Sequence, residues 1–232
     1  MDRLYSDAKA SVINATAASL LKGFTQPFLI FFIFMIYNYP MKYDVILAGV
    51  GGQGVLSVAS IIAHAAIKEG LEVRQSEVHG MAQRGGAVLA HMRISDKKIA
   101  GDLVPKGGAD LIIAMEPLES LRYISYLKPH GILVTAAEAY SNMPDYPNIE
   151  GIYSVIKRLP VWRIVETASL AKKAGLAKAV NTVMVGAASC FLPIKSINLE
   201  KTIAEVFTKK DAALVHANIK AFKSGQTAAK AG

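Results

Sequence analysis

A chain of 232 residues with a formal net charge of +8 and one cysteine, Cys190, is long enough to bury the core of an α/β unit. One thiol cannot close an intramolecular disulfide, a Cys₄ zinc site or an iron–sulfur cluster. The positive charge is dispersed, since Lys97-Lys98, Lys172-Lys173 and Lys209-Lys210 are only pairs. That excludes a nucleic-acid patch and suits solvated faces that attract an anionic ligand or an acidic partner.

In chain order, the first notable segment is Phe28 to Tyr37 (FLIFFIFMIY), between Pro27 and Pro40. It is far shorter than the roughly twenty residues of a membrane span, so membrane insertion is not expected. A signal peptide is poorly matched, because only Arg3, Lys9 and Lys22 are basic, Asp2 and Asp7 offset two of them, and no small-x-small site follows. Residues 1–40 are therefore expected to be an upstream start, with the natural chain beginning at Met41. The alternative is a short membrane-contacting or partner-binding extension.

From Tyr43 to Val50 an apolar strand runs into GVGGQG (Gly49 to Gly54), and a helix is predicted over Val55 to Glu69, stopped by Gly70. Its sheet-covering face is expected to be Leu56, Ala59, Ser60, Ala63 and Ile67. A second strand, Leu71 to Ser76, leads into the irregular loop Ser76 to Gly86 (SEVHGMAQRGG). Ala87 to Ile94 reads as a strand with Leu89, His91 and Arg93 on one face. Ala109 to Met115 is a continuous apolar strand, as expected where both sheet faces are covered.

Pro117 opens a helix over Leu118 to Leu127, and Pro129-His130-Gly131 turns into a strand from Gly131 to Ala136. Tyr140 to Asn148 is a loop and Val161 to Val165 a strand. Four helices follow: Thr167 to Ala174, Ala179 to Phe191 containing a packed Cys190, Leu199 to Phe207 capped by Asn198, and Asp211 to Lys223. The tail from Ser224 is expected to fray. The alternation predicts a Rossmann-like three-layer α/β/α sandwich with a mostly parallel sheet over residues 41–226, followed by a tail at 227–232.

Ligands collect at the carboxyl ends of strands in such sheets. Gly49, Gly51 and Gly54 have the G-x-G-x-x-G spacing, in which a strand feeds a helix N-terminus and backbone N–H groups meet a phosphate. A tight strand-to-helix turn with no ligand has the same signature. Where a ribose-binding acidic residue would end the second strand stand Arg74, Gln75 and then Glu77, and the arginine favours a phosphate over the ribose hydroxyl of NAD. The glycine-rich loop after it collects a carboxylate, an imidazole, an amide and a guanidinium at the surface.

The candidate binding residues are therefore Gly49, Gly51, Gly52, Gln53, Gly54, His79, Gln83, Arg84, Gly85 and Gly86. Gln53 offers an amide and Arg84 a charged fork. His79, in a glycine loop, either titrates near neutral pH or, as is commoner, serves as an orienting hydrogen-bond donor, and His91 is taken as structural. Ser57 and Ser76 lack a His/Asp relay, and no catalytic residue or metal ligand is assigned.

The pairing of GVGGQG with EVHGMAQRGGAV (Glu77 to Val88) resembles the gamma-type subunits of the 2-oxoacid:ferredoxin oxidoreductases. The run MKYDVILAGVGGQGVLS is most similar to the indolepyruvate-specific branch of that family. Further matches are GADLIIAMEPLESLR (Gly108 to Arg122), Asn181, Gly186 and Asn218, and the resemblance extends from Met41 to about Gln226.

The resemblance implies a cytoplasmic enzyme subunit that is inactive alone. Its alpha partner would carry thiamine diphosphate and iron–sulfur clusters, ferredoxin would accept the electrons, and this chain would help bind coenzyme A. The implied reaction converts indolepyruvate, CoA and oxidised ferredoxin to indoleacetyl-CoA, carbon dioxide and reduced ferredoxin. The residues agree that this chain cannot do that chemistry alone: it lacks cluster cysteines, and Gly101-Asp102 is followed by Leu103, not by the glycine of a GDG thiamine motif. A subunit acting on pyruvate, 2-oxoglutarate or 2-ketoisovalerate, an NAD(P)-dependent dehydrogenase and a regulatory nucleotide-binding module are the other readings.

Overall fold

The computed structural model describes residues 41–78, 85–141, 145–208 and 211–231. Strand β1 is Lys42–Val50, followed by helix α1 (Val55–Lys68), β2 (Glu72–Val78), β3 (Ala87–Ser95) and β4 (Ala109–Ala114). Then come α2 (Pro117–Arg122), a 3₁₀ turn at Ile124–Tyr126, β5 (Leu127–Ala136), α3 (Ile149–Ile156) and β6 (Val161–Val165). The chain ends in α4 (Thr167–Lys173), α5 (Val180–Ala188), α6 (Ser196–Thr208) and α7 (Ala212–Lys230).

The sheet order is β2-β3-β1-β4-β5-β6. Strands β1, β4, β5 and β6 pair in parallel, whereas β3 is antiparallel to both β1 and β2, so β3 alone is reversed. Chain length explains the reversal. Residues 79–86 are too few for a parallel crossover, which takes about a dozen or more.

Side-chain alternation along β1 splits the core into two layers. Val45 and Leu47 face α1, α5, α6 and α7, together with Met92, Leu111, Val134, Val183, Ile203 and Phe222. Ile46, on the opposite face, joins Ile112, Leu133, Ile152 and Ile156 under α2 and α3. The expected α/β/α sandwich is therefore present.

Several local expectations are corrected. The buried face of α1 is Val55, Val58, Ala59, Ile61, Ile62, Ala65 and Ala66, while Leu56 and Ile67 of the expected face are exposed. The β-branched and alanine positions give the flatter surface for a sheet. Strand β2 runs on to Val78, so Ser76 and Glu77 belong to it and not to the loop. The helix opened by Pro117 ends at Arg122. β5 already starts at Leu127, and Pro129-His130-Gly131 lies in a bulge where the register passes from Ala109–Leu127 to Leu111–Ile132.

Helix α3 was not expected; Asn148 caps it, its side chain accepting from Glu150 N–H at 2.8 Å. Cys190 follows the end of α5 and does not lie within it, and burial pushes its thiol pKa up.

Asn198 sits inside α6. Its amide donates to Glu69 Oε1 at 3.0 Å, and Lys195 N–H donates to the same oxygen at 2.6 Å. A carboxylate from beyond the end of α1 thus satisfies the start of α6. The tail does not fray at Ser224: α7 continues to Lys230, Ala229 is buried, and Arg163 Nε donates to the Ala229 carbonyl at 2.6 Å.

His91 is structural, as its strand position suggested. It is buried, its Nδ1 accepts from Val104 N–H at 3.1 Å, and its ring meets Tyr126 edge-on at 5.5 Å. This acceptor role requires a neutral ring, and burial lowers its pKa from 6.5. The neutral form therefore adds stability in full above the unfolded value, and that stability is lost as pH falls from there through the lowered folded value. Thermal unfolding followed from neutral pH into acid should show a fall in midpoint that His91→Gln, which stays neutral, reduces. Identical acid profiles for the two proteins would remove His91 as the cause.

Candidate functional site

Strand β1 leads into a tight turn at the carboxyl end of the sheet. Gln53 N–H donates to Val50 O at 3.0 Å, and Val50 N–H donates to Gln53 Oε1 at 2.8 Å. The Gln53 carbonyl oxygen is thus spent on the turn itself and is not offered outward. Gly52 (φ +99°) and Gly54 (φ +77°) occupy the left-handed region, which costs an L side chain about 1–2 kcal/mol. Gly49 has another role. A methyl there would lie 2.8 Å from Val55 Cγ2 and 3.1 Å from Met115 Cβ, so its hydrogen lets β1, α1 and the end of β4 close up.

The first turn of α1 has no side-chain cap and no acidic residue. Gly54 O accepts from Ser57 N–H at 2.9 Å, from Val58 N–H at 3.2 Å, and from Asn181 Nδ2 at 3.4 Å. Asn181 comes from the first turn of α5 and stands so close that a methyl on Gly54 would be 2.1 Å from its Nδ2. Among the described residues its Oδ1 is buried without a partner. The start of α1 favours an anion, whereas the orphaned Asn181 carbonyl oxygen would accept from a donor.

The second glycine segment joins this turn through its base. Gly51 N–H donates to Gly86 O at 2.8 Å, and Gly85 N–H donates to Gly51 O at 3.3 Å, continuing the β1–β3 ladder beyond Val50–Ala87. Because β3 is reversed, the connection from β2 returns at the same end of the sheet as the turn after β1. Gly51, Gly85 and Gly86 are therefore together; His79, Gln83 and Arg84 lie outside the described residues. Arg74 is not at this end. It lies in the middle of the longer β2 and pairs with Glu72 at 3.2 Å.

The sequence reading missed the other wall. Glu116 follows β4, the strand beside β1, and is only 1% exposed. Its Oε2 accepts from Glu119 N–H at 2.8 Å, capping α2, and its Oε1 accepts from Tyr140 N–H at 3.3 Å and from the Tyr146 hydroxyl. Burial and this carboxylate push the Tyr146 phenol pKa well above its ordinary range. Glu119 is also shifted upward, first by burial, with Arg122 opposing it.

Beyond β5, Glu138 accepts from Thr167 Oγ1 at 2.7 Å and from Ala168 N–H at 2.6 Å, tying the segment to α4. The available signal was an acidic residue directly before Pro117, the position of a cap before a first-turn proline.

The carboxyl ends of β1 and β4 thus carry two unlike features: a helix start framed by glycines, and a buried carboxylate–phenol wall. Among the described residues no three His, Cys, Asp or Glu side chains stand close enough to hold a metal ion, and no helix is long and apolar enough to cross a membrane.

Residues 44–228 match the family model for pyruvate ferredoxin/flavodoxin oxidoreductase. The indolepyruvate oxidoreductase subunit IorB of Archaeoglobus fulgidus is 36% identical, over 83% of this chain and 98% of its own length. The gamma subunit of a keto/oxoacid ferredoxin oxidoreductase from Geobacter sulfurreducens superposes with a TM-score of 0.60 at 26% identity, over 82% of this chain and 99% of that one. The 2-oxoglutarate:ferredoxin oxidoreductase of Magnetococcus marinus, solved with 2-oxoglutarate, coenzyme A and succinyl-CoA, gives a TM-score of 0.66 at 23% identity, covering 82% of this chain and 31% of that one.

Proposed function

This chain belongs to the pyruvate ferredoxin/flavodoxin oxidoreductase family, and from that premise we propose that it is the non-cluster subunit of an indolepyruvate:ferredoxin oxidoreductase. The observation that carries the choice of substrate is the 36% identity to an indolepyruvate oxidoreductase subunit along nearly all of that subunit's length. The reaction is the CoA-dependent oxidative decarboxylation of an arylpyruvate, with ferredoxin as electron acceptor. Thiamine diphosphate supplies the electron sink and iron–sulfur clusters the one-electron steps, and both reside in the alpha partner. With Cys190 as its only thiol, this chain does not fit a cluster.

Its own residues bind and orient. The N–H groups of Gly52, Gly54, Val55 and Leu56, which the bonds given above do not use, receive a CoA phosphate, with Asn181 donating to the Gly54 carbonyl. The base of the 79–86 loop closes the glycine turn from the β3 side through Gly51, Gly85 and Gly86.

The purified chain is expected to be colourless and inactive with indolepyruvate, and activity is expected on mixing with the alpha subunit. Ferredoxin reduction measured with indolepyruvate, pyruvate and 2-oxoglutarate then ranks the substrates. Turnover by the isolated chain with a nicotinamide cofactor would replace this reading with a dehydrogenase.

A further inference from the structure

We propose that two copies of this chain join edge to edge through strand β2, in antiparallel pairing about a two-fold axis at Val73. Among the described residues β2 forms one end of the sheet and β6 the other. The β6 edge is covered: Arg163 donates to the Trp162 carbonyl at 2.7 Å and to the Ala229 carbonyl of α7. Strand β2 has no such cover. It pairs with β3 in unbroken register from Glu72 to Val78 and carries no proline, lysine or bulge, the usual guards of a sheet edge.

The ladder shows which groups are free. In an antiparallel pair each residue turns its N–H and C=O toward one neighbour, and the next residue turns to the other side. Asp96 N–H donates to Met41 O at 3.2 Å, and Gly86 O accepts from Gly51 N–H at 2.8 Å, so the even-numbered residues of β3 turn toward β1. Its odd-numbered residues therefore turn toward β2, where they meet Glu72, Arg74, Ser76 and Val78. Val73 and Gln75 point their N–H and C=O groups away from the sheet, with no partner among the described residues. Another strand matches such an edge group for group.

Charge selects a second copy and its register. With Val73 opposite Val73, Glu72 of each copy stands opposite Arg74 of the other. Glu72 and Arg74 already pair within one chain at 3.2 Å, so the join closes a ring of four alternating charges. On the other face Leu71 and Val73, half-buried against the α1 layer, meet Gln75 and Val73 of the second copy. Leu71 spends its N–H on Ala66 O at 3.2 Å, and its carbonyl is left for Gln75 N–H. Centring the axis on Arg74 instead sets two arginines face to face. Centring it on Gln75 places Arg74 opposite Ser76 and Glu72 opposite Val78, with no opposite charge for either.

The test uses the full chain, alone and assembled with the alpha subunit. Sedimentation equilibrium of the chain should show a concentration-dependent dimer. Amide exchange at Val73 and Gln75 should slow as the dimer forms, whereas Arg74, bonded to β3, is slow throughout. Arg74→Glu and Glu72→Arg should each weaken the dimer about tenfold, since each change acts twice across the axis. Both changes together restore opposite charges in the same register and should return the dimer. Val73→Pro removes an outward N–H without touching the β2–β3 ladder, so it should give a folded monomer with a melt near the parent's.

A chain that stays monomeric at every concentration, with both amides exchanging freely, would overturn the proposal. A dimer unmoved by Val73→Pro and the charge reversals would do the same, and so would a double change as weak as either single one. Amides protected only in the alpha complex, whatever the charges at 72 and 74, would give the edge to a strand of the alpha subunit and not to a second copy. None of these measurements uses turnover, so the substrate reading above stands or falls separately.

Discussion

Gly186→Ala is expected to destabilise the fold by about 3 kcal/mol, the upper end of what overpacking a close-packed interior costs. A methyl on Gly186 of α5 would lie 2.0 Å from the Phe222 carbonyl oxygen of α7, and one on Gly225 of α7 would lie 2.0 Å from the Val183 carbonyl oxygen. Both obstacles are backbone atoms, so no rotamer change relieves them and the helices must move apart. Separation also strains the buried bond from Thr182 Oγ1 to Asn218 Oδ1, now 2.7 Å.

The gain in helix propensity from glycine to alanine, about 1 kcal/mol, is too small to compensate. In a domain of this size the midpoint should fall by roughly 6–12 °C. Gly151 supplies the control. It lies within α3 with nothing within 4 Å of an added methyl, so Gly151→Ala should raise stability by about 0.5–1 kcal/mol. A thermal melt in which Gly186→Ala and Gly151→Ala both stabilise would show that α5 and α7 are not in the contact described.

The consequence reaches the site. Asn181 stands one residue before Thr182, so the α5–α7 joint sets where Asn181 meets Gly54. Asn181, Gly186 and Asn218 entered the sequence reading only as family matches. The fold gives them one physical account: two glycines allow two helices to touch, a buried Thr–Asn bond fixes their register, and the first turn of one helix then braces the glycine turn.

What was legible in the sequence followed from periodicity and punctuation. The continuous apolar runs at Tyr43 to Val50 and Ala109 to Met115 gave the central parallel pair, and the glycines after β1 gave the strand-to-helix turn. Tertiary contacts decided the rest. Leu56 and Ile67 fit the helical period as well as Val58 and Ile62 do, and only the sheet surface selects between those faces. The cap of α6 comes from Glu69, remote in sequence, so no local signature could reveal it. The acidic wall was hidden for the same reason: Glu116 finds Tyr140 and Tyr146 across a long connection.

Glu116→Ala is expected to be the most damaging polar substitution, costing about 3–5 kcal/mol, because three neutral donors lose their shared acceptor group. Truncation leaves Glu119 N–H, Tyr140 N–H and the Tyr146 hydroxyl without their acceptor, and each orphaned donor in a dry site costs about 1–3 kcal/mol. Removing the carboxylate also removes its own desolvation cost, which keeps the net below the sum.

Glu116→Gln separates the two effects. It keeps one acceptor oxygen, able to serve either Glu119 N–H or Tyr140 N–H because these use different carboxylate oxygens, and it gives up the negative charge beside Tyr146, so it should cost less than Glu116→Ala. The Tyr146 phenol, raised by burial and then by that carboxylate, should then ionise at a lower pH than in the parent. Ultraviolet titration of tyrosine reads this shift, and chemical denaturation reads the stability. Since Tyr146→Phe loses only one of the three bonds, it should lie nearest the parent, at about 1 kcal/mol. An order in which Tyr146→Phe is as damaging as Glu116→Ala would mean that the phenol, and not the two backbone N–H groups, carries the wall.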